Sequence, residues 1–150
     1  MAASNGLPLS GDILVTVNDS DKPNVTPIVR RFQEMGFRIV GTTGTAKYLR
    51  ARGIPARRVL KVHEGRPNCL DLIVNGEACL LINTPLGKHA QADDYTLRAA
   101  AIRYRIPYTT TLSAASAASD AVLSLRSRRL AVRPLQEWQS LLRADAALVD

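Results

Sequence analysis

Short apolar runs alternate along this chain with apolar positions at helical spacing. Residues 13–17, Ile-Leu-Val-Thr-Val, form an apolar run bounded by Gly11-Asp12 and Asn18-Asp19, which predicts a first strand. Val25, Ile28, Val29 and Phe32 then fall at i, i+3, i+4 and i+7 and predict a helix. Asp21 is positioned to cap it, Pro23 and Pro27 belong near its first turn, and Gly36 ends it. Residues 37–40 predict a second strand that runs into Gly41-Thr42-Thr43-Gly44-Thr45, then a helix through about Arg52, stopped by Gly53. Residues 58–62 read as a short third strand, 63–68 as a polar loop, and 69–75 as a short helix ended by Gly76. The fourth strand, 79–82, is almost purely apolar, as expected where both faces of a sheet are covered. A loop holding Pro85, Gly87, Lys88 and His89 leads to a helix over about 93–105 that buries Leu97, Ala101 and Tyr104. Residues 108–110 predict a fifth strand and 113–129 a last long helix. Its alanines (114, 115, 117, 118 and 121) let it lie close to the sheet. Beyond Pro134, the stripe of Leu135, Trp138, Leu141 and Leu142 suggests a short amphipathic helix.

Strands alternating with helices predict a layered α/β domain with a parallel sheet. The chain has 150 residues, enough for one hydrophobic core, and no internal repeat. Residues 1–10 read as a linker remnant and 11–150 as a single domain. At 46% hydrophobic and 22% charged, the composition is that of an ordinary soluble protein. No apolar run approaches the roughly 20 residues that cross a bilayer, so no membrane partner is expected. Residues 1–10 lack the features of a signal peptide, so the cytoplasm is expected, or an organelle if Met1 is not the natural start. Cys69 and Cys79 read as small buried apolar residues of a reducing compartment rather than a disulfide. The formal charge of +7 raises nucleic acid as a partner. Scattered arginines, 5% aromatics and the absence of zinc-finger spacing argue against it. A solvated basic face, or one that meets an acidic neighbour, is the simpler account.

The candidate chemistry collects where ligands bind in parallel sheets, beyond the carboxyl ends of the strands. Asn18 and Lys22 follow the first strand, Thr42 to Thr45 the second, Lys61 and His63 the third, and Asn83, Thr84 and Lys88 the fourth. A helix start carries unpaired amides and partial positive charge, and Thr42, Thr43 and Thr45 add hydroxyl donors. That set suits a phosphate group, with amide and hydroxyl groups for a sugar or base. A plain strand–turn–helix corner with a threonine cap accounts for the turn taken alone, and a polar side chain in a surface loop accounts for each residue taken singly.

Several of these segments resemble one family. Asp21-Lys22, Gly41-Thr42-Thr43-Gly44-Thr45-Ala46, Lys61-Val62-His63-Glu64-Gly65-Arg66-Pro67 and Ile82-Asn83-Thr84 occur in its order. Asp94-Tyr95-Thr96-Leu97-Arg98 and Ile106-Pro107-Tyr108-Thr109-Thr110-Thr111-Leu112 follow. The chain thus resembles, from about residue 11 to 140, the carboxyl-terminal regulatory domain of the large subunit of carbamoyl phosphate synthetase, which has the methylglyoxal-synthase-like fold. The resemblance implies a mostly parallel five-stranded sheet ordered 3-2-1-4-5 and flanked by helices in three layers. It implies no catalysis by this domain alone and no cofactor or metal. Its effectors are nucleoside monophosphates, UMP as inhibitor and in some members IMP as activator. Carried over by position, phosphate contacts fall on Lys22, Thr42 and Thr45 with Thr16 behind them and Thr43 in the same turn. Lys61 and Asn83 match nucleotide-binding positions, and Thr84 and Lys88 line the same pocket. Partners implied are the other domains of the synthetase large chain and its glutaminase small subunit, with self-association as a further role.

The enzyme alternative is a methylglyoxal-synthase-type lyase acting on dihydroxyacetone phosphate, which shares the Thr/Gly turn. Its chemistry needs a carboxylate base and an assisting histidine. Here the loop after the third strand reads Glu64-Gly65-Arg66-Pro67-Asn68-Cys69, with no Gly-Gly-Asp, and Asp71 reads as a helix cap or surface residue. Gln91 stands at the place of the histidine, with His89 two residues earlier. The cyclohydrolase module of purine synthesis shares the turn but not the Val-His-Glu-Gly-Arg-Pro segment. Two positions depart from the regulatory family: Pro85 replaces a hydroxyl residue of the pocket, and Thr109 stands where ornithine-responsive members carry an aspartate. The second departure removes the carboxylate a cationic effector would need.

Overall fold

The structure is a computed structural model that describes residues 7–85 and 91–131. Five parallel strands form one sheet: β1 (Asp12–Thr16), β2 (Arg38–Thr42), β3 (Arg57–Val59), β4 (Ala78–Asn83) and β5 (Tyr108–Thr109), in the order β3-β2-β1-β4-β5. This is the order implied by the family resemblance. The helices are α1 (Lys22–Glu34), α2 (Thr43–Ala51), α3 (Cys69–Val74), α4 (Gln91–Arg103) and α5 (Leu112–Ala131).

The two faces of the sheet bury separate cores, because successive side chains of a strand point to opposite sides. Ile13, Val15, Leu80 and Ile82 meet Val25, Ile28, Val29 and Phe32 of α1, Ala46 and Leu49 of α2, and Ala115, Ala118 and Val122 of α5. Leu14, Val40, Val59 and Leu81 meet Cys69, Leu72 and Ile73 of α3 and Leu97, Ala100 and Ala101 of α4. A register shift against β1 moves the pairing from Asp12–Ala78 to Ile13–Leu80. It explains why Ala78 joins the α3/α4 side while Cys79 packs on the other. Both cysteines are free, Cys69 buried and Cys79 half-buried.

Several local expectations need correction. Asp21 occupies the cap position of α1, but its backbone is already helical (φ -89°, ψ -13°) and its side chain makes no capping bond; its carboxylate accepts from Asn18 Nδ2 at 2.8 Å. Pro23 is in the first turn, whereas Pro27 lies inside the helix. Strand β2 extends through Gly41 and Thr42, since β1 and β3 on either side pair with both residues or one of them. Leu60 leaves β3 and forms an isolated bridge to Asn68. Tyr104 is exposed: the packed face of α4 is Asp94, Leu97, Ala100 and Ala101, and Tyr104 falls beyond its last turn. Of the alanines in α5, 115 and 118 are buried, while 114 and 117 face solvent. Residues 7–10, read as linker, lie against the domain: Leu7 packs on the first core and the Leu9 carbonyl accepts from Arg126 Nη2. Lys88, His89 and the 135–142 stripe lie outside the described residues.

Candidate functional site

The order 3-2-1-4-5 makes the chain reverse direction across the sheet between β1 and β4, so their carboxyl ends border a crevice at the switch point. Thr16 ends β1 and Asn83 ends β4, paired in register. Asn83 Nδ2 donates to Thr16 Oγ1 at 2.7 Å and to Asp94 Oδ1 of α4 at 3.2 Å. All three residues are buried, so these bonds satisfy polar groups that would otherwise be stranded. Thr84 is also buried: its N–H donates to the Thr16 carbonyl at 3.0 Å, and its Oγ1 accepts from the Asn18 N–H at 3.1 Å. Thr16, Asn83 and Thr84 therefore form a hydrogen-bonded floor.

Above this floor, Thr16, Thr42, Lys61, Val62, Cys69, Asp93 and Leu97 line a crevice with about 10 Å³ open to the centre of a water molecule. That is room for about one water between these residues. The lining carries one lysine, Lys61, and one carboxylate, Asp93. Thr42 is the cap residue of α2, yet its side chain makes no capping bond to the helix. Its Oγ1 instead donates to Thr45 Oγ1 at 3.3 Å, which leaves the first-turn amides without that cap. Gly41 lets β2 run close under this start: a Cβ there would meet the Ala46 amide nitrogen at 3.2 Å.

The Lys22 ammonium lies over the same turn, 3.2 Å from where a Cβ on Gly44 would stand. Only 14% of its side chain is exposed, and it pairs with the Asp19 carboxylate. The bond from Lys22 is the main cause that holds the Asp19 carboxyl below its ordinary value, with a smaller contribution from the Lys61 charge. Thr43 is exposed at the helix start. The structure thus brings Lys22, Thr42, Thr43, Thr45 and Lys61 to one rim over Thr16, Asn83 and Thr84.

Asn18 clamps this rim. It accepts from the Asp21 N–H and from Ser20 Oγ at 2.8 Å each, and donates from Nδ2 to the Pro85 carbonyl at 3.0 Å. The loops after β1 and β4 are thereby tied together. On the other side, His63 Nδ1 lies 2.5 Å from Asp93 Oδ2 and joins the loop after β3 to α4. Asp93 and Asp94 were not among the expected site residues. Their signal was two acids at a helix start, which the helix dipole alone explains. Asp71 is a capping carboxylate: it accepts from the Asn68 N–H at 2.8 Å and from Arg66 Nη2 at 2.8 Å. Those bonds, the Arg66 one foremost, hold its carboxyl below the ordinary range. Among the described residues no group of three His, Cys, Asp or Glu could hold a metal ion, and no helix is long and apolar enough to cross a membrane.

The order of the five strands agrees with comparison to known proteins. The chain belongs to the MGS-like domain family, whose profile matches residues 24–110. Within that family it is similar to carbamoyl phosphate synthase large chains. It is 55% identical over 148 residues to the large chain of Gemmatimonas aurantiaca, covering 99% of this chain and 14% of that one. It is 42% identical over 142 residues to the C-terminal section of the large chain of Aquifex aeolicus, covering 91% of this chain and 26% of that one. The arginine-specific chloroplastic large chain of Arabidopsis thaliana is 39% identical over 150 residues, covering 99% of this chain and 13% of that one. The chain therefore spans a small part of the relatives it matches. In fold it resembles methylglyoxal synthase from Elizabethkingia anophelis, with a TM-score of 0.60 and 19% identity over 79% of this chain and 80% of that one.

Proposed function

We propose that this domain binds a nucleoside monophosphate and serves as the effector domain of a carbamoyl phosphate synthase large chain. The observation that carries this reading is the Lys22 ammonium suspended over the uncapped start of α2, beside Thr42 and Thr45. A phosphate dianion there would take backbone N–H bonds, hydroxyl bonds and a charge-assisted bond from lysine, and bonds to charged groups contribute about 1.5–3 kcal/mol each. Lys61 lines the crevice together with Thr42 and adds a second positive charge on that side. UMP as inhibitor, or IMP, is the effector in this reading. The domain itself catalyses nothing, and the phosphorylations belong to the other domains of the large chain. Its partners are those domains and the glutaminase subunit, in the cytoplasm or, for a plastid-targeted form, the chloroplast. Regulation then requires the effector to bind the active and inactive states of the parent enzyme with different affinity.

Thermal-shift titration with UMP, IMP, dihydroxyacetone phosphate and inorganic phosphate tests the reading. A bound nucleotide at about 100 times its dissociation constant stabilises the fold by roughly 2.7 kcal/mol. Lys22→Met and Thr45→Val each weaken that response while leaving a cooperative unfolding transition. No shift with any nucleotide, or methylglyoxal formed from dihydroxyacetone phosphate, overturns it.

A further inference from the structure

The ligand-free rim already holds an anion. Asp19 opens the 3-10 turn Asp19–Asp21 between β1 and α1, and its carboxylate pairs with the Lys22 ammonium that covers the start of α2. The two partners differ sharply in exposure: the Asp19 side chain is 96% exposed and that of Lys22 14%. Lysine is therefore held by its surroundings, while the carboxylate reaches in from solvent. The turn that carries Asp19 is anchored through Asn18, which bonds Asp21, Ser20, Thr84 and the Pro85 carbonyl. The neighbouring Asp21 carboxylate is engaged by Asn18 Nδ2, so of the two acids in the turn only Asp19 reaches Lys22.

We propose that Asp19 is a resident counter-anion that competes with the ligand's phosphate for Lys22, and thereby sets both the affinity of the site and its preference for dianions. The inference rests on the effector reading above. A carboxylate carries one negative charge and a phosphate monoester nearly two at neutral pH. A dianion displaces Asp19 because its second charge strengthens the attraction to lysine and its further oxygens reach the first-turn amides of α2. A monoanion lacks that advantage. Because Asp19 is solvent-exposed, it swings aside without leaving a buried group unpaired. The exchange also supplies a threshold: weakly charged metabolites do not open the pair.

Thermal-shift titrations of the wild-type chain and Asp19→Asn with UMP, and separately with inorganic phosphate, decide the matter. Loss of an exposed competing pair corresponds to roughly fivefold tighter binding of UMP. Inorganic phosphate should tighten by a similar factor, since the competition acts on the phosphate alone. Unchanged or weaker binding of UMP to Asp19→Asn overturns the competition while leaving the effector reading intact. Tightening for UMP without tightening for phosphate also overturns it, because Asp19 would then act on the sugar or base. If neither protein binds any phosphate ligand, the effector reading fails and this one with it. Circular dichroism of Asp19→Asn reports the native fold in each case.

Discussion

Gly44 shows how much one missing carbon governs at this rim. It is the second residue of α2, and among the described residues, beyond its chain neighbours and its own helix backbone, the atom that its absent Cβ would meet within 4 Å is Lys22 Nζ. A methyl group there meets the flexible end of a side chain, so the fold accommodates it. Alanine also restricts the unfolded chain and favours the helix. Gly44→Ala should therefore stabilise the ligand-free domain by about 0.5 kcal/mol in urea unfolding while weakening UMP binding in titration. Opposite signs in the two measurements mark the glycine as kept for the ligand; loss of stability would contradict this account. The residues that matter here were legible to different degrees. Lys22 and the threonines announced themselves as polar groups at strand ends and a helix start. Asn18 was visible as a polar residue after β1, but its tie to Pro85 joins residues 67 apart in sequence. Nothing local could reveal that tie.

Among the elements, α3 has only six residues and depends on its start. Isolated helices of that length do not persist in water, so packing and capping carry it. Asn68 Oδ1 accepts from the Leu70 N–H at 2.9 Å, and Asp71 returns a bond to the Asn68 N–H, a reciprocal capping box. Asn68 Nδ2 also donates to the Gly65 carbonyl at 2.6 Å, holding the loop that carries Lys61 and His63. Asn68→Ala should lose about 1–2 kcal/mol in chemical unfolding. Asp71 adds a pH dependence. Its carboxyl ionises at lower pH folded than unfolded, so its contribution is complete above the ordinary carboxylate value of 3.8. That contribution disappears as pH falls through the depressed value. Asp71→Asn should therefore flatten the acid limb of stability against pH, and an unchanged limb would refute the assignment. The helix itself was expected from Cys69 to Asn75, and Gly76 was read correctly as its stop: the Gly76 N–H bonds Ile73 and the Glu77 N–H bonds Leu72. Tyr104 was misread because helical spacing extends past a helix end that only the turn after Arg103 defines.

At the scale of the molecule, two cores on opposite sheet faces make stability a shared property, and both contain or touch a thiol. Burial pushes Cys69 up to about 12 and Cys79 up to about 11 from an ordinary 9.0. The unfolded chain ionises these thiols from about pH 9, whereas the folded chain keeps their protons. The stability they contribute is thus complete below pH 9 and declines as pH rises toward 11 and 12. For Cys69 the decline approaches about 1.4 kcal/mol per pH unit. Urea unfolding at pH 8, 9.5 and 10.5 should show this fall, and Cys69→Ala should make it shallower. A fall of equal steepness in that variant would assign it to other groups.

The amino-acid sequence by itself determined the kind of domain: strand and helix periodicities, glycine stops and a Thr/Gly turn are local patterns, each set by neighbours within a few residues. It also held the motifs that place the chain in its family. Only the tertiary structure decided which polar groups meet. The Thr16–Asn83 bond, the crevice shared by Thr42, Lys61 and Asp93, and the position of Lys22 over Gly44 all depend on β1 lying between β2 and β4. The reason is physical: a backbone pattern specifies where a side chain leaves its own element, but charge and hydrogen bonding act through distances set by the packing of other elements.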